Sequence, residues 1–381
     1  MTTTGTSVRG RIHEALARSA DAVVELSHSL HAEPELGFAE HRSCAKIAAV
    51  LAAGGYAVET GIAGLDTAFL ATIGAGDLVV ALCVEYDALP GIGHACGHNV
   101  NGAASVAAAL ALAPVAEELG VVVRVVGTPG EETLGGKIPL LEAGVFDGVD
   151  AALMVHAGAD DEVGLSSYAM CQWEVRYNGA PSHAAAAPWD GVNAADAVAL
   201  AYQAVGLLRQ QLRPDQVVSF VIDAGGTAPN IIPAEALARI ELRAATSDEL
   251  AGLQQRVRRC LDAGAVATGA ELSVAPYGND FADLRQDPEL TELYASVIAS
   301  LGRDPVDGAG APRASTDMGN VSHRVPAIQP MIGYDTAGAA HHTAAFAAHG
   351  TSASADRAVL DGGLAMALVV LELAARRGAA G

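Results

Sequence analysis

The chain has 381 residues, 51% hydrophobic and 17% charged, enough for two domains with a large core and too apolar for disorder beyond the ends. Its 22 basic and 44 acidic side chains give a formal net charge of −22, a surface that repels phosphate backbones and makes nucleic acid a poor partner. Five scattered cysteines, Cys44, Cys83, Cys96, Cys171 and Cys260, suggest no disulfide framework and fit a reducing cytoplasm. The amino-terminal residues lack the charged and apolar regions of a secretory signal, and the Ala-rich apolar stretches are broken by charges or glycines, so no membrane span is expected.

Apolar positions at helical spacing predict a helix from about Ser7 to Leu30, with Asp21 to Leu30 as a second segment. Pro34 ends it, and the polar residues of His31–Glu40 suit a capped turn before a helix that starts near Glu40. A helix over Ala45 to Leu51 stops at Gly54-Gly55, and strands are predicted near Tyr56 to Glu59, Thr67 to Ile73 and Leu78 to Val84.

The run Leu78 to Val84 reads as a buried strand, and polar residues crowd its exit. Glu85 to Asn99 packs two acids, two histidines and a cysteine into one Gly-rich stretch. The carboxyl ends of strands in an open α/β sheet are where loops diverge and ligands sit. Cys96 and His98, two apart, can offer soft and borderline donors to one ion, which suits zinc, cobalt, nickel or manganese better than calcium. A buried cysteine acting as a small hydrophobe is the competing reading.

An Ala-rich helix over Ala103 to Leu119 precedes the β-branched run Val121 to Val126, a strand expected to be buried on both faces. It ends in Glu131-Glu132, adjacent carboxylates whose mutual repulsion a cation or a catalytic proton would relieve, although a solvated acidic turn fits as well. Gly135-Gly136-Lys137 opens another helix. Ala151 to His156 reads as a third buried strand, with the histidine at its carboxyl end.

From Gly164 the texture changes. Strands over Ser167 to Tyr177, Val217 to Ile222, Ala236 to Ala244 and Ala270 to Tyr277 alternate with helices over Val192 to Leu212 and from a Ser247 cap to Ala263, the split βαβ order of a small α+β domain inserted in the first. The first domain then resumes with a helix over Pro288 to Leu301, a polar loop Ser315–Asn320, a strand over Ala327 to Gly333, and a closing helix from Ser354 to Arg376 followed by a frayed end.

Taken in order, His31-x-x-Pro34-Glu35-Leu36-Gly37, Asp87-Ala88-Leu89-Pro90, His94-Ala95-Cys96-Gly97-His98, Glu131-Glu132, His156, Ser182-His183-Ala184, Asn230-Ile231-Ile232-Pro233 and His342-Thr343-x-x-Phe346 form a set that resembles peptidase family M20. Within it the chain looks like the amidohydrolase branch of hippurate, indole-acetyl-amino-acid and aminobenzoyl-glutamate hydrolases and dipeptidases. The resemblance implies a zinc-peptidase-like three-layer α/β/α catalytic domain, residues 1–165 and 282–381, with an inserted ferredoxin-like α+β lid and dimerisation domain, residues 166–281.

It also implies metal ligands at Cys96, His98, Glu132, His156 and His342 for two divalent ions per subunit, zinc, manganese, cobalt or nickel, bridged by the Cys96 thiolate. Glu131 is then the general base, Asp87 the carboxylate that orients a ligand, and His183 a donor to the oxyanion, within the subunit or across a homodimer. Asn230 and Arg243 are candidates for the substrate carboxylate, with a structural salt bridge as the competing reading for Arg243. Two residues depart from the branch pattern: Asn99 stands where many members have Asp, and His341 sits beside His342. The activity implied is metal-dependent hydrolysis of an N-acyl amino acid, an aminobenzoyl-glutamate-like amide or a dipeptide. The alternatives are a narrow dipeptidase, a hydrolase with Cys96 as nucleophile, and a catalytically silent dimeric binding protein.

Overall fold

Ser7 caps the first helix, α1 (Val8–Ala32), by accepting from the Gly10 N–H. A single buried stripe of Ile12, Leu16, Val23, Leu26 and Leu30 runs its whole length, so one helix forms where the sequence suggested two segments. The structure, a computed structural model, describes residues 7–310 and 314–380; the expectations for the leader before Ser7 and for Gly381 lie outside the described residues.

The chain continues through α2 (His41–Ala53), β1 (Ala57–Thr60), β2 (Phe69–Ile73), β3 (Leu78–Val84), α3 (His98–Leu112), β4 (Val121–Gly127), α4 (Lys137–Glu142), β5 (Ala151–Leu153), β6 (His156–Gly158) and β7 (Glu162–Val163). Then come β8 (Ala169–Asn178), α5 (Ala194–Leu208), β9 (Val217–Ala224), β10 (Glu235–Ala244), α6 (Ser247–Thr268) and β11 (Glu271–Pro276). The last elements are α7 (Pro288–Ser300), β12 (Val306–Asp307), α8 (Met318–Ser322), β13 (Ala327–Ile328), β14 (Met331–Gly333), α9 (Ala344–Ala347) and α10 (Ala353–Ala380). The chain divides into one unit of Met1–Ser166, Leu284–Gly310 and Asn320–Gly381 and a second of Ser167–Asp283 and Ala311–Gly319. The fold is mixed α/β with an inserted sheet domain.

In the first unit a six-stranded sheet has the order β1-β2-β4-β3-β5-β13, parallel from β4 to β13 and antiparallel at β1 and β2. Arg124 sits in the middle of the apolar β4 because its guanidinium reaches the carbonyls of Val145 and Asp147. The Ala-rich α3 is almost wholly buried, and Gly363 of α10 lies so close to it that a Cβ there would come within 2.5 Å of the Ala107 methyl. By length and mean hydropathy (1.9) α10 is apolar enough to cross a membrane, but over half of that stretch is buried here, with Ala365 to Val370 in the core.

Four local expectations need correction. The run read as a single strand from Ala151 to His156 is two: β5 pairs β3 and β13, and β6 starts at His156 and pairs β14. The break matches Pro330, whose ring nitrogen cannot donate to a ladder, so β13 and β14 separate there also and His156 opens a strand instead of closing one. Thr246, not Ser247, caps α6, since Ser247 is committed through its N–H and hydroxyl to Asp283. Ser354 spends its hydroxyl on the Asp335 N–H, leaving Ser352 to accept from Ala355 at the start of α10, which continues helical to Ala380 where a frayed end was expected.

The second unit is an antiparallel sheet of order β11-β8-β10-β9. Ala236, Ala238, Ile240, Leu242 and Ala244 of β10 alternate inward and share a core with Val198 of α5 and Leu253, Val257 and Leu261 of α6.

Candidate metal centre

After β3 the chain turns at Gly97, whose φ of +78° is open to glycine at little cost, so that Cys96 and His98 lie on either side of the turn that starts α3. His98 is buried. Its Nδ1–H donates to the Asp87 carboxylate and carbonyl, each at 3.0 Å, which leaves Nε2 facing away without a hydrogen-bond partner. The other oxygen of Asp87 accepts from the Glu132 N–H at 3.0 Å, so one carboxylate holds both an imidazole and the acidic turn. Burial alone would favour a neutral His98; Asp87, with Cys96 and Glu85, reverses this and raises its pKa well above the usual value, so a binding cation displaces a proton here.

His156 donates from Nδ1 to the Ala157 carbonyl at 3.0 Å and brings Nε2 to 3.7 Å from the Cys96 sulfur. Burial, with help from His98 and His341 against Glu85, pushes its pKa down to about 4, which keeps a neutral ligand at neutral pH. The Cys96 thiol is pushed well up by burial and by the Glu132 charge, so ionisation there calls for a cation. Across the second side, His342 Nε2 stands 3.3 Å from Glu132 Oε1. Burial opposes the Glu132 charge, but His342 and His98 outweigh it and hold the pKa at about 2. His342 has a φ of +61°, and its N–H is tied to the Ala95 carbonyl at 2.9 Å, which fixes the last loop to the first.

Donor atoms of Cys96, His98 and His156 all lie within 4.8 Å of one another, as do those of Cys96, Glu132 and His342, and those of His98, Glu131 and Glu132. Cys96 belongs to both of the first two groups. His341 has its Nε2 on the Ala157 carbonyl at 2.9 Å, so His342 is the one of the pair gathered with Cys96 and Glu132. The buried His98 Nε2 has no hydrogen-bond partner, Glu132 Oε1 faces His342 Nε2 at 3.3 Å, and thiol, imidazole and carboxylate together are a donor set of borderline softness. These residues fit a divalent ion.

Sequence reasoning missed the supports behind this cluster. Glu40 is fully buried and accepts from the Gly130 N–H at 2.8 Å and from the Thr67 hydroxyl at 2.9 Å, fixing the turn before Glu131. Burial, then the Asp87 charge, raises its pKa from the ordinary 4.5 of a glutamate to about 7. The folded protein therefore holds this proton more tightly than the unfolded chain, and the stability it contributes is present in acid and lost as pH rises from 4.5 through 7, about 3 kcal/mol in all. Glu40→Gln is expected to abolish that decline, read as diverging urea midpoints of wild type and variant between pH 5 and 8 in the metal-free protein. Asn99 donates to Ser27 and to the Gly350 carbonyl, so it ties α3 to α1 and to the turn before α10 where a carboxylate would repel that carbonyl. The signals were a carboxylate, Glu40, at the start of α2 and an amide inside an apolar helix.

The three remaining candidates lie in the second unit. His183 Nδ1 accepts from the N–H groups of Ala185 and Ala186, so its proton is on Nε2, which is a donor to solvent or ligand. A bridge of His183 with Ile231 and the Ala184 N–H on the Asn230 carbonyl put His183 and Asn230 on paired loops. Arg243 is paired with Glu241 at 2.8 Å and donates to Ser315 at 3.1 Å.

The sequence matches peptidase family M20/M25/M40 over residues 81–357. A mouse Xaa-Arg dipeptidase is 36% identical over 96% of this chain and 89% of its own length, and the human Xaa-Arg dipeptidase is 33% identical over 95% and 88%. One of the p-aminobenzoyl-glutamate hydrolase subunits of Escherichia coli is 32% identical over 68% of this chain and 58% of the relative. Among solved structures, an aminobenzoyl-glutamate utilization protein of Klebsiella pneumoniae superposes with a TM-score of 0.75 at 21% identity, covering 95% of this chain and 98% of that one. A dinuclear metal-binding peptidase of Bacillus subtilis gives 0.71 at 22%, covering 94% and 99%. The activity of such a chain is metal-dependent hydrolysis of the amide bond of a dipeptide or N-acyl amino acid. It belongs to peptidase family M20.

Proposed function

We propose that the chain is a dipeptidase for substrates with a basic carboxy-terminal residue, working with two divalent ions held by Cys96, His98, Glu132, His156 and His342. The shared position of Cys96 in two ligand groups supports two ions, and the two Xaa-Arg dipeptidases that match nearly the whole chain support the substrate class. When bound, divalent ions polarise the amide carbonyl and acidify the attacking water. Glu131, buried on the turn fixed by Glu40 and Asp87, takes the water's proton and passes it to the leaving amine. His183, with its proton on Nε2, donates to the oxyanion, and Asn230 holds the substrate; the Glu241 pair makes a structural part for Arg243 the stronger reading.

The active form is a homodimer joined through the second unit, where the edge strand β9 exposes Val217, Val221 and Ile222 and α5 exposes Leu200 and Leu207. The five cysteines, none of them in a disulfide, support a cytoplasmic location.

The test is a panel of Xaa-Arg, Xaa-Lys and Xaa-Glu dipeptides, N-acyl amino acids and aminobenzoyl-glutamate, each offered to zinc-, manganese- and cobalt-loaded protein and to chelated protein. Turnover confined to loaded protein and at least tenfold faster on Xaa-Arg and Xaa-Lys is expected. Preference for aminobenzoyl-glutamate would overturn the substrate class, and turnover that survives chelation would favour a Cys96 nucleophile.

A further inference from the structure

Lys137 and Glu85 form an ion pair with no solvent exposure on either side, Nζ to Oε1 at 2.6 Å. Such pairs cost desolvation and are rarely more stable than an apolar replacement, so its direction is more informative than its existence. The second oxygen of Glu85 accepts from Asn101 Nδ2 at 3.1 Å and stands 3.6 Å from His98 Nε2. Asn101 lies on α3 one turn beyond His98, and its Oδ1 accepts from the Ala157 N–H at 2.7 Å. The carbonyl of that same Ala157 fixes the His156 ring. A buried polar line thus starts at one ammonium and ends at both buried imidazoles of the cluster.

We propose that Lys137, Glu85 and Asn101 are positioning residues that set His98 and His156 at the spacing a bound divalent ion requires. Lys137 anchors the Glu85 carboxylate, Glu85 orients the Asn101 amide and sets its charge 3.6 Å from His98 Nε2, and Asn101 fixes the Ala157 N–H beside His156. The proposal rests on the metal-site reading above.

Cobalt(II) tests both, because its visible absorption reports ligand geometry and thiolate bonding apart from any turnover. Binding isotherms and spectra are compared for wild type, Lys137→Met, the charge-neutral pair Glu85→Gln/Lys137→Met, and Asn101→Ser, which cuts the link to Ala157 without touching a charge. Both Glu85→Gln/Lys137→Met and Asn101→Ser are expected to bind cobalt(II) at least tenfold more weakly with an altered spectrum, and to lower kcat more than they raise KM. Wild-type affinity and spectrum in Asn101→Ser, or in the double variant, would overturn the proposal and leave the pair a purely structural contact. Failure of wild type itself to bind cobalt(II) would overturn the metal-site reading instead.

Discussion

Glu131→Gln is expected to keep its metal ions and lose about 10²–10⁴-fold in kcat, with KM little changed. The reason lies in how the turn is built. Gly130 is held from one side through its N–H by Glu40, and Glu132 from the other through its N–H by Asp87, so the residue between them has its backbone fixed on both flanks. Glu131 Oε2 reaches to 4.0 Å from His98 Nε2, inside the cluster, and glutamine preserves its size while removing its basicity. Its neighbour provides the contrast. Glu132→Gln removes a charge that sits with Cys96 and His342, so its loss is expected to appear first in metal content and only then in rate. Steady-state kinetics together with metal analysis of both variants separates the two roles. Equal metal loss in both would mean that Glu131 also serves as a ligand, and an unchanged kcat would remove it from the proton transfers.

Gly97→Ala is expected to lower both stability and ion affinity. The left-handed conformation at φ +78° costs an L-residue about 1–2 kcal/mol. An added Cβ would lie 2.4 Å from the Ala157 methyl, well inside contact distance, and overpacking of that kind adds about 1–3 kcal/mol. The collision falls on the residue that holds the His156 and His341 rings and donates to the Asn101 amide oxygen, so the strain passes directly into the cluster. Melting temperatures should fall in chelated and metal-loaded protein alike, with the larger fall in the loaded form because ion affinity drops as well. An equal fall in both would confine the damage to the backbone.

The parts of the fold and site legible in the sequence are those where one residue type has one physical use. Leu78 to Val84 has nothing to do in water, and the polar residues that follow must then lie at its end; the structure gathers Cys96, His98 and Glu132 from positions after the buried strands β3 and β4, with His156 from the start of β6 and His342 from a loop. What stays illegible depends on partners distant in sequence. Ala151 to Val155 is uniformly apolar, so only the opposing Pro330 reveals that the strand breaks before the histidine. Thr246 and Ser247 are equally good caps until Asp283 claims one. Lys137 resembles any helix-opening lysine until Glu85, 52 residues earlier, is found 2.6 Å away. Asn99 reads as a missing charge, and its amide is occupied by Ser27 and Gly350.

The tie from the His342 N–H to the Ala95 carbonyl joins a loop synthesised early to one synthesised near the end. During translation, then, Cys96, His98, Glu132 and His156 emerge and can begin to fold while the residue that completes the second ligand group is still unmade. A chain that ends before His342 holds the Cys96, His98 and His156 donors but lacks both the third donor of the second group and the tie that closes the two loops, so the two groups are completed at different stages of synthesis.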